Sequence, residues 1–398
     1  MPNVNPATPS PPPVPLTPVL SGAALRGGGA VRLRGLLDAP HQRHVTSGRI
    51  AIALALREIG VQPGERVLVP AYHSLSMIPP VLWRGATPVF YRLHADGMVD
   101  LDALEAAMQA GAKAMMLTHF FGFHQPLDAV RALCDRHGVA LLEDCAHCLF
   151  GESAGQAVGS FGDYAIGSSM KFYPIYDGGC LVSHRHRLDQ VRLTGAGLGF
   201  EAKAALNALE YSFRHGRLGW LKTLLALPLA LRDRLWGALK ARRPQGQAAA
   251  LAPSSSDSSY EFDLRWIDKR ASLFARLMLR ILSPARISAR RRAHYRQLQQ
   301  ALAGLPGCRP LHASLPEGVC PWLFPLWVDQ PEALFATLCA ERVPVVRFAD
   351  TLWPGVDASV CANSVRLSRQ VLALPCHQEL RPAELAWIIE RVRAALTP

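Results

Sequence analysis

Between residues 47 and 144 short apolar segments alternate with helical ones, and this alternation constrains the fold more than any other feature of the chain. Residues 48–59 are rich in Ala, Leu and Ile, as a buried helix would be, and the pattern stops at Gly60. Pro63-Gly64-Glu65 then turns the chain into an apolar strand over 66–69. Further strands are expected over 86–91, 114–119 and 139–142, with helices over 100–110, capped by Asp100, and 126–137. Strands that are apolar throughout are covered on both faces. The order predicts an α/β fold: a large, mostly parallel sheet with helices on both sides. Ligands of such sheets gather beyond the carboxyl ends of the strands. Thr118-His119, Glu143-Asp144 and the segment after Gly167 fall at or just past such ends.

A chain of 398 residues is long enough for two domains. The expected division is a Pro/Gly-rich leader over 1–40, a large domain over 41–200, a basic amphipathic helical insert with a Ser-rich linker over 201–259, and a helical connection with a smaller C-terminal α/β domain over 260–398. The helical connection, 262–305, breaks near Pro284. The small domain should hold strands at 323–328 and 343–348 and helices at 331–339 and 382–395. Residues 1–20 are rich in proline and nearly uncharged, without the basic start of a signal peptide, and are expected to be a disordered or extended leader. No stretch of about 18 uncharged apolar residues predicts a membrane span.

The composition is globular, with 49% hydrophobic and 19% charged residues, and the formal charge is +12. Such a charge admits anionic partners. Without zinc-finger spacing, an arginine-rich tail or a stacking motif, the expectation is a basic enzyme with anionic substrates and no nucleic acid. The apolar run 220–231, which includes Trp220, precedes Arg232, Arg234, Lys240, Arg242 and Arg243. A segment of this kind, 214–243, suits the surface of an anionic bilayer or a protein contact over the active site or between subunits. Another basic cluster stands at Arg286, Arg290 and Arg291. Of nine cysteines only Cys145 and Cys148 have a paired spacing, so packed free thiols are expected rather than a metal or a disulfide. That pattern fits the cytoplasm, with peripheral contact at the inner face of the membrane if the insert meets lipid.

Lys171 is the most informative residue for function. It stands in Gly167-Ser168-Ser169-Met170-Lys171-Phe172-Tyr173-Pro174, ahead of Asp177-Gly178-Gly179, where a solubilising lysine would be out of place. A lysine in such a setting can hold the aldehyde of pyridoxal phosphate as a Schiff base. That cofactor also needs a carboxylate at its ring nitrogen, a group at its phenolic oxygen and a cradle for its phosphate. Asp144 is the candidate carboxylate and His147, three residues on, the candidate for the oxygen. Ser47-Gly48-Arg49 opens the first helix, whose free N–H groups suit a phosphate, and Ser168 adds a hydroxyl. Tyr72 and His73 offer rings for stacking. Each has an ordinary structural alternative: a helix cap, a core histidine, a surface lysine.

These residues resemble the DegT/DnrJ/EryC1/StrS family of sugar aminotransferases. The resemblance rests on Ser47-Gly48-Arg49, Val69-Pro70-Ala71-Tyr72-His73, Gly85-Ala86-Thr87-Pro88, Glu143-Asp144-Cys145-Ala146-His147, Gly159-Ser160-Phe161-Gly162-Asp163, Ser168 to Lys171 with Asp177-Gly178-Gly179, and Leu374-Pro375-Cys376-His377. It implies a homodimeric fold-type I enzyme that uses pyridoxal 5′-phosphate, with Lys171, Asp144 and His147 catalytic and Ser47, Gly48 and Ser168 at the phosphate. It also implies an amino-acid donor and an anionic, nucleotide-linked keto-sugar acceptor in glycan biosynthesis. Two alternatives share the scaffold: elimination or dehydration with the same cofactor, and a non-catalytic regulator with a degenerate pocket. The chain departs from the family at Tyr260-Glu261-Phe262-Asp263-Leu264-Arg265, where Glu261 stands in place of an amide expected near a partner subunit's phosphate.

Overall fold

The computed structural model describes residues 13–27, 32–226, 230 and 262–397. Seven strands form the large sheet: β1 (His41–Val45), β2 (Arg66–Pro70), β3 (Thr87–Tyr91), β4 (Ala114–Thr118), β5 (Ala140–Asp144), β8 (Tyr164–Gly167) and β9 (Gly179–Ser183). A two-stranded ribbon, β6 (Glu152–Ser153) with β7 (Gln156–Ala157), lies between β5 and β8 in the chain. The spatial order is β1-β9-β8-β5-β4-β2-β3. Neighbours β3, β2, β4, β5 and β8 are parallel, whereas β9 is antiparallel to β8 and β1 antiparallel to β9. Two reversals return β1 to the direction of β8. The carboxyl ends of β1, β2, β4, β5 and β8 therefore share one edge of the sheet.

The strands β4, β5, β8 and β9 are almost wholly buried, as their apolar sequences require. Helices α1 (Gly48–Glu58), α2 (Ile78–Trp83), α3 (Leu101–Gln109) and α4 (Leu127–His137) connect the first strands. Asp100 caps α3 as expected, accepting from the Ala103 N–H at 3.0 Å. Glu143 is fully buried and holds the next turn, accepting from the N–H groups of Gly159 and Gly162 at 2.9 and 2.5 Å.

A three-stranded antiparallel sheet, β10 (Cys308–Pro310), β11 (Leu323–Val328) and β12 (Val371–Pro375), forms the C-terminal unit. It carries helices Pro331–Ala340, Ala358–Gln370 and Pro382–Leu396. The strand expected at 343–348 is absent: Val346 makes one isolated bridge to Ala373, and the chain then turns through Ala349 at φ 56°. The apolar pattern there serves a loop that buries Phe348. Helices Leu273–Ile281 and Pro284–Leu302 link the two sheets and break at Pro284 as predicted. Helices α5 (Leu198–Arg214) and α6 (Gly219–Leu224) begin the expected insert, while its basic tail and the Ser-rich linker lie outside the described residues.

Residues 1–20 were expected to be a disordered or extended leader; its described part, from residue 13, and the residues just after it are held against the body. Val14 and Val19 are buried, Leu20 N–H donates to Ser212 Oγ at 2.8 Å, and Ser21 Oγ donates to Glu379 at 2.6 Å.

Two glycines bring the antiparallel strand against the start of α1. Gly178 has φ 146° and donates its N–H to Thr46 O at 2.9 Å. A Cβ on Gly179 would overlap the Ser47 carbonyl and approach the Gly48 nitrogen at 2.7 Å. Gly179→Ala should therefore destabilise the protein by about 1–3 kcal/mol through overpacking against backbone. Urea unfolding would measure it, and an unchanged midpoint would show that the approach is looser than described.

Candidate active site

The shared carboxyl edge gathers side chains from segments far apart in sequence. Asp144 ends β5 with 3% of its surface exposed. Its Oδ2 accepts from Thr118 Oγ1 at 3.2 Å and its Oδ1 from the Ala146 N–H at 2.9 Å. Burial raises its pKa; the Ala146 bond, the positive charge of Lys171 and the Thr118 bond oppose that shift.

Lys171 closes a 3₁₀ turn, Ser169–Lys171, just after β8. Burial lowers its pKa to about 8, against the opposing pull of Asp144. The residue keeps some surface open, and its Nζ lies 4.4 Å from the centroid of the Trp322 ring. His147 stacks on the same indole at 3.8 Å between centroids. His147 is also buried, and burial, with Lys171 adding to it, depresses its pKa well below the ordinary value and keeps it neutral. The Phe121 N–H donates to His147 Nδ1 at 3.4 Å, a tautomer assigned from the bonding, which leaves the proton on Nε2.

The start of α1 is the anion-binding candidate. Ser47 occupies the cap position with extended backbone, yet its side chain makes no capping hydrogen bond. The first-turn N–H groups thus have no partner from their own cap. Gly48 faces Ser168, since a Cβ there would stand 3.8 Å from Ser168 Cβ. Arg49 is partly buried in the same turn. Ser47 and Ser168 are both buried, at 8% exposure. A buried carboxylate, a lysine of lowered pKa, a neutral histidine and a hydroxyl-lined helix start fit the needs of pyridoxal phosphate.

Not every candidate comes to this place. His73 is spent on structure: its Nδ1 lies 3.1 Å from the carbonyls of Pro70 and Ala71, and its Nε2 accepts from the Trp353 N–H at 3.1 Å. Its ring stacks on Phe90. Tyr72 is fully buried with its hydroxyl on Phe348 O at 3.2 Å, and its ring packs on Phe120 and on Phe348, whose ring meets His147 edge-on at 4.7 Å. Arg265 pairs with its neighbour Asp263, and Glu261 lies outside the described residues.

Sequence reasoning missed Thr118 as a partner of Asp144 and missed Phe121, Trp322 and Phe348 altogether. Phe121 has φ 55° at the end of β4, a rare conformation outside glycine, and its carbonyl accepts from the Trp322 N–H at 2.9 Å. An aromatic pair before Gly122 at a strand's carboxyl end was the available signal. Trp322 carried none, because only the packing of the small sheet brings it there.

Residues 31–204 match the model of the DegT/DnrJ/EryC1/StrS aminotransferase family. A UDP-N-acetyl-3-dehydro-alpha-D-glucosamine 3-aminotransferase of Acidithiobacillus ferrooxidans is 33% identical over 39% of this chain and 43% of its own length. The lipopolysaccharide biosynthesis protein RfbH of Salmonella typhimurium is 26% identical over 84% of this chain and 72% of its own. With the first curated relatives, the match spans only about two fifths to little more than half of their length. The putative sugar aminotransferase Spr1654 from Streptococcus pneumoniae, solved in its PLP form, superposes with TM-score 0.64 at 18% identity, over 96% of this chain and 98% of that one. The likeness to that structure shows a shared fold.

Reductive trapping tests the lysine. With an aldehyde and borohydride, labelling at position 171 should rise through about pH 8, where its amine loses its proton, and not near the ordinary 10.5. Peptide mass mapping across pH would read it. Labelling still climbing above pH 10 would refute the lowered value.

Proposed function

We propose that the chain, whose residues 31–204 match the DegT/DnrJ/EryC1/StrS aminotransferase family model, is a pyridoxal-phosphate-dependent aminotransferase of that family. It moves an amino group from an amino acid, glutamate, to a nucleotide-linked keto-sugar in glycan biosynthesis. The observation that carries this reading is Lys171 beside Asp144, at the same sheet edge as the start of α1 and Ser168. The substrate class draws support from the named activity of the Acidithiobacillus relative, which acts on a UDP-linked sugar.

When bound, pyridoxal phosphate supplies an aldehyde that condenses with amines and a ring that withdraws electrons from the adjoining carbon. Lys171 Nζ would hold the aldehyde. When not so held, the same Nζ, with its lowered pKa, would carry a proton from the donor Cα. Asp144 would face the ring nitrogen and hold a proton there. His147, neutral with its proton on Nε2, would donate to the ring oxygen. The first-turn N–H groups of α1, with Ser47 and Ser168, would hold the phosphate, and Arg49 would add charge to the same turn.

Glutamate with a matching keto-sugar should give 2-oxoglutarate one for one with aminated acceptor, and Lys171→Ala should abolish turnover with thermal stability preserved. Coupled assay with product mass analysis measures both. Release of ammonia without aminated product would replace this reading with elimination, and a wild-type protein that develops no visible absorbance with added cofactor would sink it.

The chain acts as a homodimer and contacts anionic membrane through the segment 214–243, which includes α6. Support for the dimer comes from Leu273, Leu277 and Ile281, which line one side of their helix and are 62%, 48% and 48% exposed. Support for the lipid contact comes from Trp220 and Leu224, exposed one turn apart beside Lys222. No helix of the described residues is long and apolar enough to cross a membrane. Sedimentation addresses both contacts. The protein alone should run at twice its 43.4 kDa, and it should pellet with anionic vesicles but less so as Trp220→Ala/Leu224→Ser. A monomer, or equal pelleting of the two forms, would remove the respective contact.

A further inference from the structure

Arg291 is the largest fully buried side chain among the described residues, and its guanidinium has no direct carboxylate partner. Burying such a charge is costly, and burial lowers its pKa. Its donors go to neutral oxygens of three separate segments. Nη2 donates to Lys171 O at 2.7 Å. Nη1 donates to Trp322 O at 3.0 Å and Pro321 O at 3.1 Å. Nε donates to Gln378 Oε1 at 2.9 Å, and Gln378 in turn donates to Phe172 O at 2.7 Å. The guanidinium also lies over the Phe172 ring, 4.4 Å from its centroid. The other arginines of this cluster are bound too, Arg286 to Glu379 at 2.5 Å and Arg290 to Gln378 O at 3.0 Å. The cluster is thus no open anion surface.

The placement of these bonds joins two facts about the lysine. The peptide that carries Lys171 and the residue whose ring its amine rests on are gripped by one rigid fork. A planar guanidinium can span such separated acceptors, whereas the compact ammonium of lysine cannot. We propose that Arg291 is a positioning residue for the amino-transfer reaction: it holds the Lys171 main chain and the Trp322 peptide in one register, so that the indole contacts both Lys171 Nζ and His147. Trp322 is then the wall that the C-terminal unit contributes to the site. This rests on the reading above, that Lys171 takes the cofactor's aldehyde.

The test uses full-length protein loaded with pyridoxal phosphate, as wild type, Arg291→Lys and Trp322→Leu. The readouts are the pH midpoint of the visible band of the lysine–aldehyde linkage, and kcat and KM for glutamate. Loss of the indole face removes an attraction for the protonated nitrogen, so Trp322→Leu should move the midpoint to lower pH. Arg291→Lys should move it the same way and lower kcat by about 10- to 100-fold, with KM little changed, because the amine is misplaced rather than removed. A merely structural arginine would lower thermal stability and leave the midpoint where it was. Unchanged midpoint and kcat in a folded Arg291→Lys protein would overturn the proposal. If that variant does not fold, an unmoved midpoint in Trp322→Leu overturns it instead. A wild type that never develops the band overturns the aminotransferase reading, and this proposal with it, whereas failure confined to the variants leaves that reading intact.

Discussion

The site depends on two opposite charges held together out of water. Burial disfavours the ionised form of both Asp144 and Lys171, and the charge of each offsets part of the other's penalty. Thr118 and the Ala146 N–H are the carboxylate's hydrogen-bond partners, and both oppose the rise that burial imposes on its pKa. The consequence is a lysine whose amine gives up its proton near pH 8. This amine is a usable nucleophile and proton carrier under conditions where an exposed lysine would stay charged.

Holding that arrangement requires contributions from all over the chain. The parallel strands deliver Asp144 and Lys171 to one edge, and the reversed strand β9 brings Gly178-Gly179 against Thr46 to Gly48. The latter contact seats the start of α1 opposite Ser168. From the other side, the C-terminal unit supplies Trp322 and Phe348, and the long helix Pro284–Leu302 supplies Arg291. The N-terminal segment is tied to that unit in turn, with His377 Nε2 3.0 Å from Pro15 O and Ser21 bonded to Glu379.

Much of the large domain was legible from its residues. The helix–strand alternation over 48–144 located α1, α3, α4 and strands β2 to β5 because apolar runs of that length have few other uses in a buried sheet. Strands β1, β8 and β9 were not anticipated. His41–Val45 has mixed polarity at a sheet edge, and Tyr164–Gly167 and Gly179–Ser183 are short and surrounded by glycine and serine. Of the proposed rings, Tyr72 bonds the carbonyl of Phe348 and His73 the Trp353 N–H, contacts that no local pattern shows, since both letters suit a packed core as well as a pocket.

Local patterns in the chain determined the class of the fold, the edge where chemistry would sit, and the lysine, carboxylate and helix start to be found there, because each is written in neighbouring residues. Tertiary structure alone decided what surrounds them. Arg291 read as one more positive charge in a basic cluster, and only its burial against the carbonyls of Lys171, Pro321 and Trp322 turned it into a clamp. Trp322 likewise became the surface under the lysine's amine through contacts made across 151 positions of chain, counted from 171 to 322, a separation that no periodicity or motif spans.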